Sequence, residues 1–346
     1  MTAAYPSDKN VFIRDHDASN KMVIDFARNV NDFAVNRYVQ IVPTKKIGGL
    51  YLEMTIEEAG RILNEDLSDT VWPDGQPAPE GMDGLESFGW KPFTTKRHIF
   101  PFAMGDLTVE QATWDIVAQH SNIKCRQAMT ARTQKCITAL VTEANYASDH
   151  VLDVTAISGN SGNWLQSTTS RQDIKRSIET AIEKILDDTL TAIKVEDLQL
   201  VINSALAAYL SQTQEIVDYI KGSRDAYAQI RGELPNRNKF YGLPDMLYGV
   251  HLEVEATRKV TSRKGATRAV SQILPSATPF LCSRPGELIG VEGAPNFSTC
   301  VLFAHEEMTV ETKVDADNRR TKGRVVENHT AIVVAPASGV LFTDVV

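Results

Sequence analysis

A stretch of forty residues, Leu107 to Tyr146, contains neither glycine nor proline. Asp106 precedes it as a candidate N-cap, and Glu110 would lie in the first turn, where the helix dipole favours an acid. A continuous helix of this length would extend about 60 Å. The stretch therefore predicts one helix far longer than the usual three turns, around which the rest of the chain must be organised.

This predicted helix has an apolar stripe but few charges, and threonine and alanine occupy many of its other positions. Because a helix open to water usually carries more charge, the pattern favours packing against neighbours on more than one side. An ordinary core helix of a large domain is the alternative. Val117 to Asn122 is the weakest part, and a break there would leave a helix from Ser121 to Tyr146. The stripe consists of Cys125, Ala128, Met129, Cys136, Ala139 and Leu140.

Composition excludes several classes of function. The formal net charge of −8 argues against a protein wrapped in nucleic acid, although it leaves room for a local basic face. No apolar run reaches about 18 residues, so the sequence predicts no membrane span. Met1 to Asn10 is polar and lacks the features of a signal peptide. The four cysteines form no C-x-x-C pair and are predicted to be buried, reduced thiols.

The residues before the long helix divide into two parts. Residues 1–37 are polar with one short amphipathic segment and are predicted to form an arm. Residues 38–106 contain β-rich runs on both sides of a segment dense in glycine and proline, which is typical of a projecting loop. Gly48-Gly49 is predicted as a turn between the first two strands. Trp72 and Trp90 near the tip suggest contact with another surface, and local self-packing is the alternative.

The residues after the long helix alternate between helical and strand patterns, which is typical of a compact α/β unit over 147–305. Ser170 and Asp173 predict the start of an amphipathic helix. Leu198 to Ile202 reads as a buried strand, and Asn203-Ser204 as the cap of a helix that runs to Gly222. His251 to Glu255 reads as the next strand.

Two basic runs follow in the C-terminal third. Residues 256–280 are predicted to form a long connection, in which positions 258–268 carry five cations and no acid. The second run, 319–324, lies between predicted strands of a β-rich ending. Neither run contains an aromatic residue, so base-specific recognition of nucleic acid is not expected. Phosphates, a neighbouring subunit or solvent are the three alternatives for their contacts.

No pattern of residues predicts catalysis or a cofactor. The sequence has no phosphate-binding loop, dinucleotide fingerprint, nucleophile elbow or His-Glu-x-x-His motif. The best metal candidate is the alternating set His251, Glu253 and Glu255. A solvated strand face explains this set better, because a structural metal site usually needs four ligands. Asp187-Asp188 is predicted to be exposed charge at a helix end.

The order of these parts resembles the major capsid proteins of tailed bacteriophages, the Hong Kong phage coat fold. Lys96 to Asp106 resembles the return of the family's extended loop into its spine helix. Leu198 to Asn203 resembles the strand that precedes a helix in the axial domain. Leu247 to Leu252 is similar to that domain's leucine-x-glycine-x-x-valine strand, with Leu252 in place of valine. Ala331 to Leu341 resembles the closing strands.

The resemblance implies an α+β capsid fold with four parts. These are an N-terminal arm (1–37), an extended β-loop (38–106), a peripheral domain containing the spine helix (107–146 and 306–346), and an axial α/β domain (147–305). It also implies a structural protein rather than an enzyme. Such a structural protein would need no cofactor and no metal. The predicted subunit-interface residues are Trp72, Trp90, Arg97, Arg319, Arg320 and Lys322.

The family's function would be self-assembly into hexamers and pentamers, which close into an icosahedral virion shell around double-stranded DNA. Assembly would take place in the host cytoplasm with a separate scaffolding protein, because the arm begins almost at Met1. A portal and decoration proteins would be further partners. The alternatives are an encapsulin-type nanocompartment shell, which shares the fold, and a cytosolic α/β enzyme with an unrecognised site.

Overall fold

The computed structural model describes residues 33–54, 74, 88–111, 115–221, 241–283 and 298–346. This part of the chain combines helices and sheets, which confirms the α+β prediction. The helices are α1 (Val35–Tyr38), α2 (Asp106–Gln111), α3 (Ile116–Val141), α4 (Asp173–Asp188), α5 (Ser204–Leu210) and α6 (Gln214–Lys221). The strands are β1 (Gln40–Pro43), β2 (Gly48–Met54), β3 (Phe88–Thr94), β4 (Lys96–Gly105), β5 (Val151–Asp153), β6 (Leu198–Asn203), β7 (Met246–Leu247), β8 (Val250–Glu255), β9 (Arg258–Val260), β10 (Val270–Gln272), β11 (Phe280–Ser283), β12 (Cys300–Asp315), β13 (Arg320–Val333) and β14 (Val340–Thr343).

The long helix is shorter than the glycine-free stretch. It spans the 26 residues of α3, and the Asp115 carboxylate accepts a hydrogen bond from Ala118 N (2.9 Å) as its N-cap. The predicted weak point at Val117 to Asn122 is wrong, because those residues lie inside α3. Asp106 begins the separate helix α2 instead of capping the long one. Of the predicted stripe, all but the half-buried Ala139 are buried.

One core joins α3 to both larger sheets. The four-stranded sheet has the order β1-β12-β13-β4, and the six-stranded sheet has the order β5-β14-β11-β6-β8-β7. Met129 and Cys136 of α3 share a cluster with Leu302 and Val325 of the first sheet and Phe280 of the second. The shortage of charge in α3 follows from this packing, since a charged side chain at those positions would be desolvated without a partner.

The four-stranded sheet is built on one long hairpin. The β-rich ending predicted by the sequence contains two long strands, because β12 and β13 are continuous over 16 and 14 residues. The register of this pair shifts on both sides of Glu306. β1 and β4, the outermost strands of the predicted loop 38–106, pair with β12 and β13.

Within the described residues of that loop, β2 and β3 remain for the projection and form an antiparallel pair. The predicted turn at Gly48-Gly49 is wrong, because both glycines begin β2. β14, near the C terminus, joins the six-stranded sheet between β5 and β11. The division of the chain into four segments stays a prediction, and the sheets exchange strands across its boundaries.

The N-terminus of α4 is capped by a side chain that is distant in the sequence. Its predicted apolar face is confirmed, but Ser170 does not cap it. The Glu215 carboxylate, at the start of α6, accepts hydrogen bonds from Ile174 N (3.2 Å) and Lys175 N (3.0 Å). α6 is also separate from α5, so the single helix predicted from Asn203 to Gly222 is wrong. Asn203 caps α5 as predicted.

The predicted solvated face of β8 is also wrong. Glu253 and Glu255 are almost fully buried, because α1 packs against them. Arg37 Nη1 donates to Glu253 Oε2 (2.8 Å), and the Tyr38 hydroxyl donates to Glu255 Oε2 (2.7 Å). These two bonds tie the residues before β1 to the six-stranded sheet. Burial and the nearby Glu255 carboxylate raise the pKa of Tyr38 well above its usual value, so its hydroxyl keeps its proton.

Candidate functional site

The projecting pair β2 and β3 is held to the four-stranded sheet by stacked aromatic rings. Phe93 stacks on Phe303 of β12 with ring centroids 4.2 Å apart, and Tyr51 stacks on the same ring at 6.1 Å. Gly49 lies under Phe93, where a Cβ atom would come within 2.8 Å of the ring. One face of the pair is therefore anchored to the rest of the molecule.

The opposite face of this pair exposes apolar side chains. Leu50 is 59 % exposed and Trp90 is 62 % exposed, and Ile47 precedes them at 54 %. A two-stranded pair is only marginally stable alone in water. An uncovered apolar face on such a pair is a natural contact surface for another chain. The structure thus places the predicted site residue Trp90 on the projection, whereas Trp72 lies outside the described residues.

Three of the predicted basic site residues lie on one face of the four-stranded sheet, with Arg320 and Lys322 at one end of the ladder and Arg97 at the other. Arg320 and Lys322 alternate along β13, and both reach Asp315 of β12, at 3.0 and 2.5 Å. These contacts hold the pKa of Asp315 well below its usual range, with the hydrogen bond from Lys322 as the largest cause. Arg97 of β4 lies 3.5 Å from Glu306 on the same face.

The same ladder includes a pair that the sequence did not single out, Arg324 with Glu311 at 2.6 Å. Arg319 lies outside this ladder of ion pairs. This residue occupies the turn between β12 and β13 with φ of +44°, and its carbonyl accepts a hydrogen bond from Asp106 N. Its side chain is exposed. The basic run 319–324 is therefore largely neutralised within the chain, and Arg319 is its most accessible member.

A buried charged cluster between α3 and the sheet was missed by the sequence analysis. Arg132 of α3 lies 2.5 Å from Glu327 of β13, and His329 Nδ1 lies 3.0 Å from the same carboxylate oxygen. Lys135 Nζ contacts His98 Nε2 at 2.8 Å, and the two histidine rings are 5.0 Å apart. The signal available was the spacing of Arg132 and Lys135 on a helix with few charges.

The cluster shifts the pKa values of its members. Burial would raise the pKa of Glu327, but the contacts with His329 and Arg132 outweigh it, so that pKa is lowered. The pKa of His98 is lowered by burial and by the charge of Lys135. At neutral pH the Glu327 carboxylate therefore lies beside the Arg132 guanidinium, and His98 is neutral.

Another group of acids with a histidine joins the end of α4 to the segment before β14. His150 Nδ1 donates to the Gly339 carbonyl (2.7 Å), and His150 Nε2 lies 2.7 Å from Asp188 Oδ2. Among the described residues, only these two side chains and Asp149 bring three possible metal-ligand atoms within 4.8 Å of one another. A metal ion would have to displace the bond to Asp188. Asp188 is thus a partner of His150 and more than the exposed charge predicted.

The four cysteines are buried and free, as predicted. Burial raises the pKa of Cys125 to about 11 and that of Cys136 to about 12. Because the thiolate is the nucleophilic form, neither residue is suited to covalent chemistry near neutral pH. Within the part of the chain that is described, no helix is long and apolar enough to cross a membrane.

Comparison with known proteins identifies solved structures that have a similar fold. No family model and no curated protein matches the sequence. Among solved structures, a phage-related protein from Bordetella bronchiseptica RB50 has a TM-score of 0.65 at 15 % identity, covering 97 % of this chain and 99 % of its own. The capsid structure of cyanophage P-SCSP1u has a TM-score of 0.57 at 12 % identity, covering 90 % and 88 %. The mature capsid of bacteriophage PhiM1 has a TM-score of 0.53 at 12 % identity, covering 89 % and 86 %. Over nearly its whole length this chain has the tailed-phage major capsid protein fold, as the resemblance in its sequence predicted.

Proposed function

We propose that this chain is the major capsid protein of a tailed bacteriophage. The observation that carries the proposal is the extent of the fold similarity, because both the phage-related protein and the cyanophage capsid are matched over about nine tenths or more of each chain. A similarity of that extent leaves little of the given sequence for a separate domain with another role.

In this proposal, subunits form hexamers and pentamers that close into an icosahedral shell around double-stranded DNA. The shell is part of the virion and assembles in the host cytoplasm. A separate scaffolding protein, a portal and decoration proteins are its proposed partners. The chain acts by association and carries out no catalysis. Many modest interfaces then add up to a stable shell through multivalency.

The projection supplies the first proposed interface. Its apolar face, formed by Leu50 and Trp90, would be covered by a neighbouring subunit, and Trp72 would belong to the same contact. A buried tryptophan near the centre of an interface commonly contributes about 2 kcal/mol or more. Because the opposite face is fixed on Phe303, the projection is preorganised and would lose little conformational entropy on binding.

The charged sheet face supplies the second proposed interface. Arg97 and Arg319 are exposed enough to reach an acid of a neighbour without breaking a buried contact. Arg320 and Lys322 would share their existing partner, Asp315, with the neighbour. Exposed pairs of this kind contribute about 1 kcal/mol or less each, so they orient subunits more than they hold them.

The proposal is tested by electron microscopy and light scattering of the full chain, expressed alone and with the products of neighbouring genes. Closed shells are expected. Trp90→Ala should weaken the contact by about 2 kcal/mol, or roughly 30-fold, and raise the concentration at which shells form. Tyr209→Ala removes an aromatic side chain of similar exposure from α5 and serves as the matched control.

A small monodisperse oligomer at every concentration, with no shells in either expression, would contradict the proposal and favour an enzyme. Shells that enclose a cargo protein bound through a peptide would favour the nanocompartment alternative. Equal assembly of the Trp90 and Tyr209 variants would remove the projection from the interface.

A further inference from the structure

The two basic runs of the sequence have different environments. On the sheet face, Arg320, Lys322 and Arg324 each lie within 3.0 Å of an acid in the opposing strand. The run 258–268 lies in the hairpin of β9 and β10, within the segment that was predicted to be a long connection. No acid occurs anywhere between positions 256 and 280, so this hairpin cannot neutralise itself.

The hairpin has a defined conformation. Val260 pairs with Val270, and beyond the ladder Thr261 N donates to the Ala269 carbonyl (3.0 Å). The Ser262 hydroxyl accepts from Ala269 N (3.2 Å), and Gly265 turns the chain with φ of +89°. These bonds fix the position of the loop backbone, so its cations are presented in a repeatable arrangement.

Four cations of the hairpin are exposed. Among the described residues, none offers a hydrogen bond or ion pair to the side chains of Arg258, Arg263, Lys264 or Arg268. The fifth cation, Lys259, donates to Gln134 of α3 (2.8 Å), which fixes the hairpin beside the long helix. A chain with a net charge of −8 thus concentrates five positive charges on one small element.

Next to the hairpin lies a polar groove. Its volume is about 410 Å³, and among the described residues that line it Arg258 is the only charged one. The remaining polar groups are hydroxyls and amides, which can donate hydrogen bonds to an anion. The other lining residues are Ser204, Ala205, Ala208, Ser211, Gln212, Tyr241 and Gln272.

We propose that the β9–β10 hairpin binds the phosphate backbone of nucleic acid without reading its sequence. Unpaired, exposed arginine and lysine side chains beside hydroxyls and amides are the groups that contact phosphates. Positions 256–272 contain no aromatic side chain, so bases cannot stack there. A phosphate backbone also supplies closely spaced charges that several cations can meet at once, whereas a protein partner would need a matching cluster of acids.

The inference rests on the proposed function in one respect, since the enclosed double-stranded DNA would be the natural ligand. Binding itself is measured separately, on unassembled full-length chain with a fluorescent duplex of random sequence. With four phosphate contacts, the affinity should fall about 150-fold between about 50 and 200 mM salt. Duplexes of different sequence should bind equally.

The test variant is Arg263→Gln with Lys264→Gln, and the matched control is Lys45→Gln with Lys46→Gln. Both double changes remove two adjacent exposed cations and lower the net charge by the same amount. At about 100 mM salt, loss of two phosphate contacts should weaken binding of the duplex about 60-fold and reduce the slope of log affinity against log salt by about 1.8. The control should stay within about threefold of the original chain, because its cations make none of these contacts.

Equal binding by the test and control variants would overturn the inference, and so would loss of self-association in the test variant with DNA binding unchanged. The second result would assign the hairpin to an interface with another copy of the chain. Failure to form shells, with the hairpin effect on DNA binding intact, would contradict the proposed function and leave this inference standing.

Discussion

Replacing Glu215 with alanine should destabilise the folded chain by about 3–5 kcal/mol. This carboxylate is almost fully buried and accepts four hydrogen bonds. Two come from the backbone at the N-terminus of α4, from Ile174 N and Lys175 N. The others come from the hydroxyls of Ser167 and Tyr248, the latter at 2.7 Å. One side chain therefore joins α4, α6 and the turn between β7 and β8.

The magnitude follows from what the substitution leaves behind. Each hydrogen bond to a charged group contributes about 1.5–3 kcal/mol, but the four share one carboxylate and are not additive. The carboxylate also compensates the positive end of the α4 dipole, an effect of up to about 2 kcal/mol when partly buried. Water entering the vacated space would recover part of the loss, which brings the expected value to about 3–5 kcal/mol.

The assay is urea denaturation of unassembled full-length chain, followed by circular dichroism. Glu179→Ala is the matched control, because Glu179 is an exposed acid of α4 whose pair with Lys175 spans 3.7 Å. Its loss should cost less than about 0.5 kcal/mol. Glu215→Gln should fall between the two, since it keeps the shape but loses the charge. If Glu215→Ala were within about 1 kcal/mol of Glu179→Ala, the assignment of Glu215 as the distant cap would be refuted.

Two further predictions concern the four-stranded sheet. Gly323→Ala should lower the free energy of unfolding by about 2 kcal/mol, because a Cβ atom there would overlap the Phe102 ring. In a double-mutant cycle measured by urea denaturation, adding Phe102→Ala should recover part of that loss. Simple additivity of the two substitutions would contradict the predicted overlap. Acidification should also destabilise the sheet, because the pKa of His98 is lowered from 6.5 in the folded chain. The stability that depends on neutral His98 is therefore present above about pH 6.5. It is lost as the pH falls towards the pKa of His98 in the folded chain. Glu327, also with a lowered pKa, adds a second loss below about pH 4.5. His98→Gln should remove the first loss in denaturation at pH values between about 5 and 7.5, and an unchanged pH dependence would contradict the role of His98.

Local patterns were sufficient to predict much of the fold. The stripe on α3, the apolar face of α4 and the buried strand β6 all follow from periodicity, which each segment carries within itself. The errors occur where a distant residue decides the local structure. Glu253 looked like a solvated position, but its partner Arg37 lies 216 residues away. Likewise, Glu215 caps a helix that begins about forty residues earlier in the chain.

The interface residues show the same division between local and distant information. Trp90 could be singled out from the sequence, because an aromatic residue beside a glycine- and proline-rich tip has little local core to enter. Its exposure follows from the anchoring of the opposite face on Phe303, a contact that no local pattern contains. The cluster around Glu327 was missed for the corresponding reason, since its members come from α3, β4 and β13.

The different environments of the two basic runs follow from hairpin register. Around the turn between β12 and β13, Asp315 faces Arg320 and Glu311 faces Arg324. Lys322 faces Lys313 and reaches Asp315 diagonally across the pair. Around the turn between β9 and β10, Lys259 faces Ser271, and no acid is present to face any cation. A count of charges does not distinguish the two runs. The residues that face each run across its hairpin do distinguish them, because acids neutralise the first run and none neutralises the second. The second kind lowers its free energy by binding an external polyanion, because the condensed counterions of the polyanion are released and no internal pair has to be broken.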